Sequence, residues 1–290
     1  MTVLDLVERA SRRLSAAGVA FGHGTTNAFD EAAWLVLWKL GLPLDTELRS
    51  AALPEPTEVE AAAVAALVEE RIATRRPAAY LTGEAWLQGV PFTVDERVIV
   101  PRSLIAEPLA EGSIDPWLHP DTRRVLDLCT GNGSLAVLAA LAWPEVEVDA
   151  ADLSADALAV ARLNVARHGL ADRITLLQGD GLEAVRGRAP YDLVLCNPPY
   201  VNRASMAALP AEFRAEPALA LDGGEDGMDF VRRLLETLPM HLNAHGVLLL
   251  EIGHERTHFE AAFPRLEPLW LETSAGSDQL LLLTRENLSP

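Results

Sequence analysis

The chain contains few cysteines and has no metal-ligand spacing. Only Cys129 and Cys196 occur among its 290 residues, and each ends an apolar segment where a small buried side chain is the simplest interpretation. This scarcity predicts a cytoplasmic location. The seven histidines are scattered, without paired Cys/His ligands, so the sequence predicts no metal site.

Long hydrophobic runs are also missing. No apolar run reaches the about 18 residues of a membrane-spanning helix. The first 20 residues carry Asp5, Glu8, Arg9, Arg12 and Arg13, which is typical of neither a signal peptide nor a membrane span. With 290 residues and 49% hydrophobic content, the chain is expected to form one large or two modest soluble domains.

Basic residues are in the minority. Lys and Arg number 24 against 42 Asp and Glu, which gives a net charge of −18. Nucleic-acid binding normally rests on clustered Lys and Arg, so no stable nucleic-acid binding is expected. A basic protein partner fits the charge better, and solubility explains the acidity equally well.

Hydrophobic periodicity divides the chain into two regions. Residues 1–80 favour helices, in particular 30–40, where Trp34 and Trp38 are interpreted as packing residues, and 57–75. Residues 86–94 and 97–100 are typical of short strands broken by Gly and Pro, and predict a hairpin.

From Arg124 onward, apolar runs alternate with helical patterns. This alternation predicts a doubly wound α/β domain, whose ligand binds beyond the carboxyl ends of the strands. The predicted strands are residues 125–129, 146–152, 174–177, 191–196 and 247–252, and the predicted helices include 155–168 and 230–242. Residues 266–271 and 279–284 leave no room for a helix between them and predict an antiparallel closing pair.

The tetrapeptide Asn197-Pro198-Pro199-Tyr200 follows one of these apolar runs. Each proline fixes φ and lacks an N–H, so the carbonyls of Asn197 and Pro198 can face a ligand. Two such acceptors can hold both hydrogens of a planar NH2 group and orient its nitrogen toward an electrophilic carbon, with Tyr200 as one wall. The motif therefore predicts methylation of a nitrogen, and the alternative is an ordinary Pro-Pro turn.

Three other strand ends carry groups that suit a nucleoside. The segment 130–134, Thr-Gly-Asn-Gly-Ser, turns tightly before a helix and leaves N–H groups open, although Ala136 replaces the third glycine of a dinucleotide fingerprint. Asp152 can accept two ribose hydroxyls, and Asp180 can accept from an adenine amino group. Each acid alone is more simply a cap or loop residue. Because the glycine loop, Asp152, Asp180 and the tetrapeptide follow four strands in this order, ligand binding is the favoured interpretation.

In this order, the four motifs resemble the class I S-adenosylmethionine-dependent methyltransferases, specifically the protein N5-glutamine methyltransferases. Further segments that look like family signatures are 76–86, 94–103 and 216–227, so the resemblance covers about residues 70 to 285. It implies a Rossmann-like seven-stranded sheet with an antiparallel C-terminal strand pair, together with a small helical N-terminal domain. The predicted domains are residues 1–82 for substrate recognition, 83–105 as a β-hairpin linker and 106–290 for cofactor binding and catalysis.

Two branches of the family differ after the Pro-Arg pair. Release-factor enzymes typically continue Pro-Asp-Thr-Glu, whereas this chain reads Ser103-Leu104-Ile105-Ala106-Glu107. The serine form, with residues 84–86 and 127–131, is similar to the branch that methylates the third large-subunit ribosomal protein, which is itself very basic. Asn132 in place of Ser or Thr, and Ser277-Asp278-Gln279 near the C-terminus, depart from that branch.

The resemblance implies S-adenosyl-L-methionine as cofactor, with S-adenosyl-L-homocysteine as product, and it implies the residues that contact each ligand. Expected catalytic residues are Asn197, Pro198 and Tyr200; expected substrate-binding residues are these with Pro199 and Arg102. Expected cofactor-binding residues are Asp127, Cys129, Thr130, Gly131, Asn132, Gly133, Asp152, Leu153, Asp180, Gly181 and Asn197.

Other functions remain open at this level. The same reaction on the glutamine of peptide release factors is the first alternative. An adenine-N6 methyltransferase needs the same acceptor pair, but it would grip phosphates through a basic groove that this sequence lacks. A non-catalytic S-adenosylmethionine-binding partner protein is the third.

Overall fold

A computed structural model describes residues 1–288 and divides the chain into two compact units. The first unit comprises Met1–Ala85 and the distant segment Leu209–Glu216. The second comprises Trp86–Ala208 and the chain from Pro217 onward. The three-part division predicted from the sequence was strictly linear and stays a prediction; no linear division anticipates that residues 209–216 fold with the N-terminal helices.

The first unit is helical, as predicted. Its helices are α1 (Val3–Ala16), α2 (Ala28–Leu40), α3 (Glu58–Thr74) and α4 (Ala78–Thr82). Helix α3 begins where it was predicted, because Thr57 caps it in a reciprocal capping box with Glu60. Helix α2 begins two residues before its predicted start, because Asn27 caps it. Gly41 ends α2 with φ 66°, a left-handed conformation that glycine adopts without strain.

A buried ion cluster joins the segment 209–216 to these helices. Arg71 is fully buried, and its Nε donates to Glu31 at 2.9 Å while its guanidinium lies 3.6 Å from Glu212. Burial raises the pKa of Glu31, and the charge of Arg71 opposes that rise. The ring of Phe213 packs on His23, with centroids 4.2 Å apart. Removing one partner of such a cluster leaves an uncompensated buried charge.

A short hairpin follows, and the boundary between the units falls within its first strand. Strands β1 (Glu84–Leu87) and β2 (Val90–Thr93) are joined by Gln88 and Gly89, whose φ values of 49° and 74° are those of a tight hairpin turn. The predicted hairpin included residues 97–100, which form no strand. Asp95 and Arg97 are instead held by their own ion pair at 2.6 Å.

The second unit contains one seven-stranded sheet in the order β5-β4-β3-β6-β7-β9-β8. Its strands are β3 (Arg124–Leu128), β4 (Glu147–Asp152), β5 (Ile174–Gln178), β6 (Tyr191–Cys196), β7 (Leu242–Glu251), β8 (Leu269–Thr273) and β9 (Gly276–Thr284). Strands β3 to β7 are parallel, and β9 pairs antiparallel with β7 and β8. The doubly wound sheet and its antiparallel C-terminal pair are therefore confirmed.

The helices of this unit are α5 (Ala106–Glu111), α6 (Ser134–Ala142), α7 (Ala155–Arg167), α8 (Arg203–Ala208), α9 (Asp229–Thr237) and α10 (Arg256–Ala262). The predicted helix over 230–242 is too long, because Pro239 cannot donate its N–H and the chain tightens into a 3-10 turn at Leu238–His241. Strand β7 begins at Leu242, five residues before its predicted start.

Two apolar cores cover the faces of the sheet. Along β3, Val125 belongs to the core that includes α6, whereas Leu126 and Leu128 belong to the core that includes α9. This alternation follows from the two-residue period of a strand. Among residues 1–288, no helix has the length and apolarity needed to cross a membrane.

Candidate active site

A cavity of about 390 Å³ lies at the carboxyl ends of β3, β4, β5 and β6. This volume lies in the range of small-molecule sites. The cavity brings together most residues that the sequence singled out: Arg102, Cys129, Thr130, Gly131, Asn132, Asp152, Leu153, Asp180, Gly181, Asn197 and Pro199. Four others lie outside its lining, namely Asp127, Gly133, Pro198 and Tyr200.

Asp127 lies beneath the glycine loop. Its side chain is fully buried, and its Oδ2 accepts from the Thr130 hydroxyl and from the Ala136 N–H at 2.9 Å. Burial raises the pKa of Asp127 to about 7. Gly133 lies close to α7, where an added Cβ would come within 3.2 Å of Ala161. Asp127 and Gly133 therefore fix the shape of the glycine loop without lining the cavity.

Asp152 both holds the loop and lines the cavity. Its Oδ2 accepts from the Gly131 N–H at 2.9 Å, and its Oδ1 accepts from the Ser154 N–H at 2.8 Å. Burial raises the pKa of Asp152, and these backbone donors oppose the rise. Each carboxylate oxygen can accept more than one hydrogen bond, so capacity for ligand hydroxyls is left.

Asp180 has a partner on α9. Its carboxylate forms an ion pair with Arg233 at 3.0 Å, and that guanidinium also lies 5.7 Å from the ring centre of Phe230. All three residues line the cavity, and both charged side chains are more than half exposed. An adenine amino group would therefore share Asp180 with Arg233, a partner that the sequence did not reveal.

The Asn-Pro-Pro-Tyr segment leaves the end of β6. Asn197 and Pro199 line the cavity, whereas the Tyr200 hydroxyl turns away and donates to Glu251 at 3.1 Å. The chain then continues to Val201, whose N–H donates to Leu221 at 2.8 Å. The loop that follows this bridge is thereby held beside the tetrapeptide.

Three glycines allow a close approach to Tyr200. An added Cβ at Gly223 would come within 2.8 Å of the Tyr200 backbone, one at Gly253 within 2.5 Å of its ring, and one at Gly227 would overlap its carbonyl oxygen. Gly227 and Gly253 also have φ of 80° and 53°. Gly223 and Gly227 belong to the segment 216–227 that resembles a family signature, and their nearness to Tyr200 gives a physical reason for glycine at these two positions.

Sequence reasoning missed Asn164 and Glu251. Asn164 is fully buried on α7; its Nδ2 donates to the carbonyls of Thr93 and Asn132, both at 2.9 Å, and its Oδ1 accepts from Thr93 N–H at 2.7 Å. The available signal was an Asn in a helix interior, which is unfavourable without a specific partner. For Glu251 the available signal was a carboxylate at the end of an apolar strand, which needs hydrogen-bond partners if it is buried.

The Asn132 side chain brings a buried amide donor to the cavity lining. Asn132 lines the cavity with only 3% exposure, and its Nδ2 has no hydrogen-bond partner within residues 1–288. A buried polar group without a partner is costly unless a ligand satisfies it. An amide donor at the glycine loop and the carboxylate of Asp152 at the next strand end fit a molecule with both a carboxylate and ribose hydroxyls, as S-adenosylmethionine has.

Comparison with known proteins identifies the family of the chain. Residues 114–225 match the methyltransferase small domain family. The chain is 58% identical to the ribosomal protein uL3 glutamine methyltransferase of Bordetella pertussis over 99% of its own length and 96% of that protein, and 47% identical to the one from Neisseria gonorrhoeae over 99% and 95%.

Solved structures support the fold alone. The catalytic domain of hMettl16, determined in complex with the MAT2A 3′UTR hairpin 6, is similar with a TM-score of 0.51 at 14% identity, over 79% of this chain and 81% of that one. The sheet is thus that of a class I methyltransferase, and the near full-length relatives decide the branch. The chain belongs to the family of ribosomal protein uL3 glutamine methyltransferases.

Proposed function

We propose that this protein transfers a methyl group from S-adenosylmethionine to the side-chain nitrogen of a glutamine in ribosomal protein uL3. The observation that carries the proposal is a single cavity lined by Asn197 and Pro199 from the tetrapeptide and by Asn132 and Asp152 from the neighbouring strand ends. The names and high identity of the full-length relatives support uL3 as the target.

The cofactor residues divide into direct contacts and supports. The Asn132 side chain would hold the amino-acid end, Asp152 the ribose, and Asp180 with Gly181 the adenine. The N–H groups of Gly131 and Gly133, which the sequence predicted to be open to a ligand, are instead bonded to Asp152 and to the Thr130 carbonyl. Asp127 and Gly133 act through the shape of the loop. The bound cofactor supplies an electrophilic methyl on a sulfonium.

The acceptor amide is held by Asn197 and Pro198. Asn197 Oδ1 and the Pro198 carbonyl would accept the two amide hydrogens, which turns the nitrogen lone pair toward the methyl group. Pro199, which lines the cavity, would pack on the amide plane, whereas Tyr200 lies outside the lining and supports the turn. Orientation of this kind contributes on the order of 7 to 11 kcal/mol at its upper limit.

No strong general base is required. The nitrogen becomes strongly acidic when it gains the methyl, so its extra proton leaves to water or along the same carbonyl acceptors. Arg102 lines the cavity and donates to the Val100 carbonyl at 3.1 Å, which suits a brace for the loop beside the substrate.

A competition assay tests the proposal. Purified enzyme and methyl-labelled cofactor are mixed with ribosomal proteins, release factors and RNA from one strain, and the label is mapped by mass spectrometry. We expect label on one glutamine of uL3. Label on a release-factor glutamine would move the function to the other branch, and label on adenine would contradict a protein substrate.

A further inference from the structure

Glu251 is a buried carboxylate beside the site with no assigned role. It is the last residue of β7 and is 4% exposed. Cys196 and Leu250 are the last pair in the β6–β7 register, so the next residues are Asn197, just after β6, and Glu251, the last residue of β7. A carboxylate is costly to bury unless its oxygens are satisfied.

Three donors satisfy it, and they come from two distant segments. The Ser103 hydroxyl at 2.6 Å and the Leu104 N–H at 2.9 Å donate to Oε2, and the Tyr200 hydroxyl donates to Oε1 at 3.1 Å. Ser103 also lines the cavity. One side chain therefore ties the loop 101–104 to the end of the tetrapeptide.

Fixing Tyr200 also restricts the position of the Pro198 carbonyl, which is the proposed hydrogen-bond acceptor. Pro198 and Pro199 each remove a φ rotation, so few soft torsions separate Tyr200 from the Pro198 carbonyl. The glycines that surround Tyr200 bring backbone against it on other sides. If the hydrogen bond from the Tyr200 hydroxyl to Glu251 is lost, the Tyr200 ring and the Pro198 carbonyl become more mobile together.

We infer that Glu251 is a positioning residue: it fixes Tyr200 and the loop 101–104 so that the Pro198 carbonyl and Asn197 meet the acceptor nitrogen in one orientation. The inference rests on the proposed methyl transfer and extends it to a residue that does not line the cavity. Burial raises the pKa of Glu251, while its donors and the Arg102 charge oppose the rise.

The test compares Glu251→Ala with Glu251→Gln. A glutamine can accept from Ser103 and Leu104 through its oxygen and donate to the Tyr200 oxygen, so kcat should stay within about fivefold of wild type. Alanine loses all three bonds, and kcat should fall about 100-fold while the dissociation constant of S-adenosylhomocysteine and KM change less than about threefold. Equal losses in cofactor affinity and kcat would overturn the inference.

A double-mutant cycle isolates the Tyr200 link. Tyr200→Phe alone should lower kcat about tenfold, and it should have no further effect in the Glu251→Ala background. Independent, multiplicative effects would overturn the inference. If Glu251→Ala does not fold, Tyr200→Phe and Ser103→Ala each remove one donor and must lower kcat with unchanged cofactor affinity.

Asp192 provides a matched control. It also accepts three hydrogen bonds, from the N–H groups of Arg123 and Arg124 at 2.9 Å and from Asn243 at 2.5 Å, but at the opposite end of β6. Asp192→Ala should lower the unfolding temperature and leave kcat unchanged. A kcat loss equal to that of Glu251→Ala would reduce the effect to general destabilisation.

A second readout needs no methyl acceptor. The chain has only three tyrosines, so the ring NMR signal of Tyr200 is assigned by comparison with Tyr200→Phe. It should shift in Glu251→Ala and not in Asp192→Ala. An unmoved signal overturns the inference, whereas absence of uL3 labelling by the wild-type enzyme overturns only the proposed function.

Discussion

The carboxylates near the cavity differ in role because their surroundings differ. Asp127 is fully buried and accepts hydrogen bonds from Thr130 and Ala136. Asp152 accepts from the glycine loop and also lines the cavity. Asp180 is half exposed and forms an ion pair with Arg233. Glu251 is buried between two segments. Their sequence contexts, each at or near the end of an apolar strand, look alike, so only the partners distinguish them.

Asn197→Ala tests the division between substrate and cofactor contacts. The side chain supplies one of the two proposed acceptors, so methyl transfer should fall more than about 100-fold, as for loss of an oriented polar group in an active site. The dissociation constant of S-adenosylhomocysteine, measured by calorimetry, should stay within about tenfold of wild type. Asn243→Ala, near the start of β7 and at the opposite end of the sheet from Asn197, is the control. A parallel loss of cofactor affinity and rate would contradict the assignment.

Asp127→Asn tests the buried carboxyl through pH. Burial raises its pKa from 3.8 to about 7, so between these values the folded protein keeps a proton that the unfolded chain has lost. Stability from this group is complete below about pH 4 and is lost as pH rises toward 7, at up to about 1.4 kcal/mol per pH unit. Relative to the variant, the wild-type free energy of unfolding should therefore fall across this window in denaturant titrations. Parallel curves would exclude the shift.

At the scale of elements, the segment 223–227 is shaped by what lies beside it. Glycine is required there by the nearness of Tyr200 as well as by φ. Gly187 offers the contrast, since it has φ 78° but no atom within 4 Å of an added Cβ. A comparison of Gly187 with Gly227 therefore distinguishes the effect of backbone strain from the effect of contact with Tyr200.

Gly187→Ala and Gly227→Ala should therefore differ. Both incur the strain of a left-handed alanine, roughly 1–2 kcal/mol. Gly227→Ala must in addition displace the Tyr200 carbonyl, which adds about 1–3 kcal/mol and should lower methyl transfer at least about tenfold. Chemical denaturation and the transfer rate measure the two effects. Equal behaviour of the variants would show that contact with Tyr200 is unimportant.

At the scale of the whole molecule, net charge is the dominant property. A net charge of −18 creates a long-range field that attracts a basic protein, and such attraction acts on association more than on the chemical step. The charge was available from the sequence, whereas the partner is a proposal.

Salt should therefore act on substrate capture. Raising the salt from about 0.05 M to about 0.5 M should lower kcat/KM for intact uL3 several-fold, because the Debye length shortens below 10 Å. Turnover at saturating uL3 and the affinity for S-adenosylhomocysteine should change little. A short neutral peptide containing the target glutamine serves as control and should show a weak salt dependence. The same dependence for peptide and protein would argue against electrostatic capture.

Local patterns in the sequence were enough to predict the helical first region, the parallel sheet with its antiparallel closing pair, and the kind of polar group at four strand ends. These follow from hydrophobic period, caps and turn residues, which act over a few residues. One error arose where the strand signal is weak, at residues 97–100. The other, in the helix before Pro239, arose because the break that a proline imposes on a helix was overlooked.

The hydrogen-bond partners of the buried groups depend on contacts between segments that are far apart in the sequence. Ser103 and Glu251 are 148 residues apart. Arg75 and Glu212, which form an ion pair within the first unit, are 137 residues apart. Neither pair leaves a local pattern. The reason is physical: a carboxylate at a strand end becomes a cap, a ligand contact or an anchor according to the groups that the completed fold brings within 3 Å.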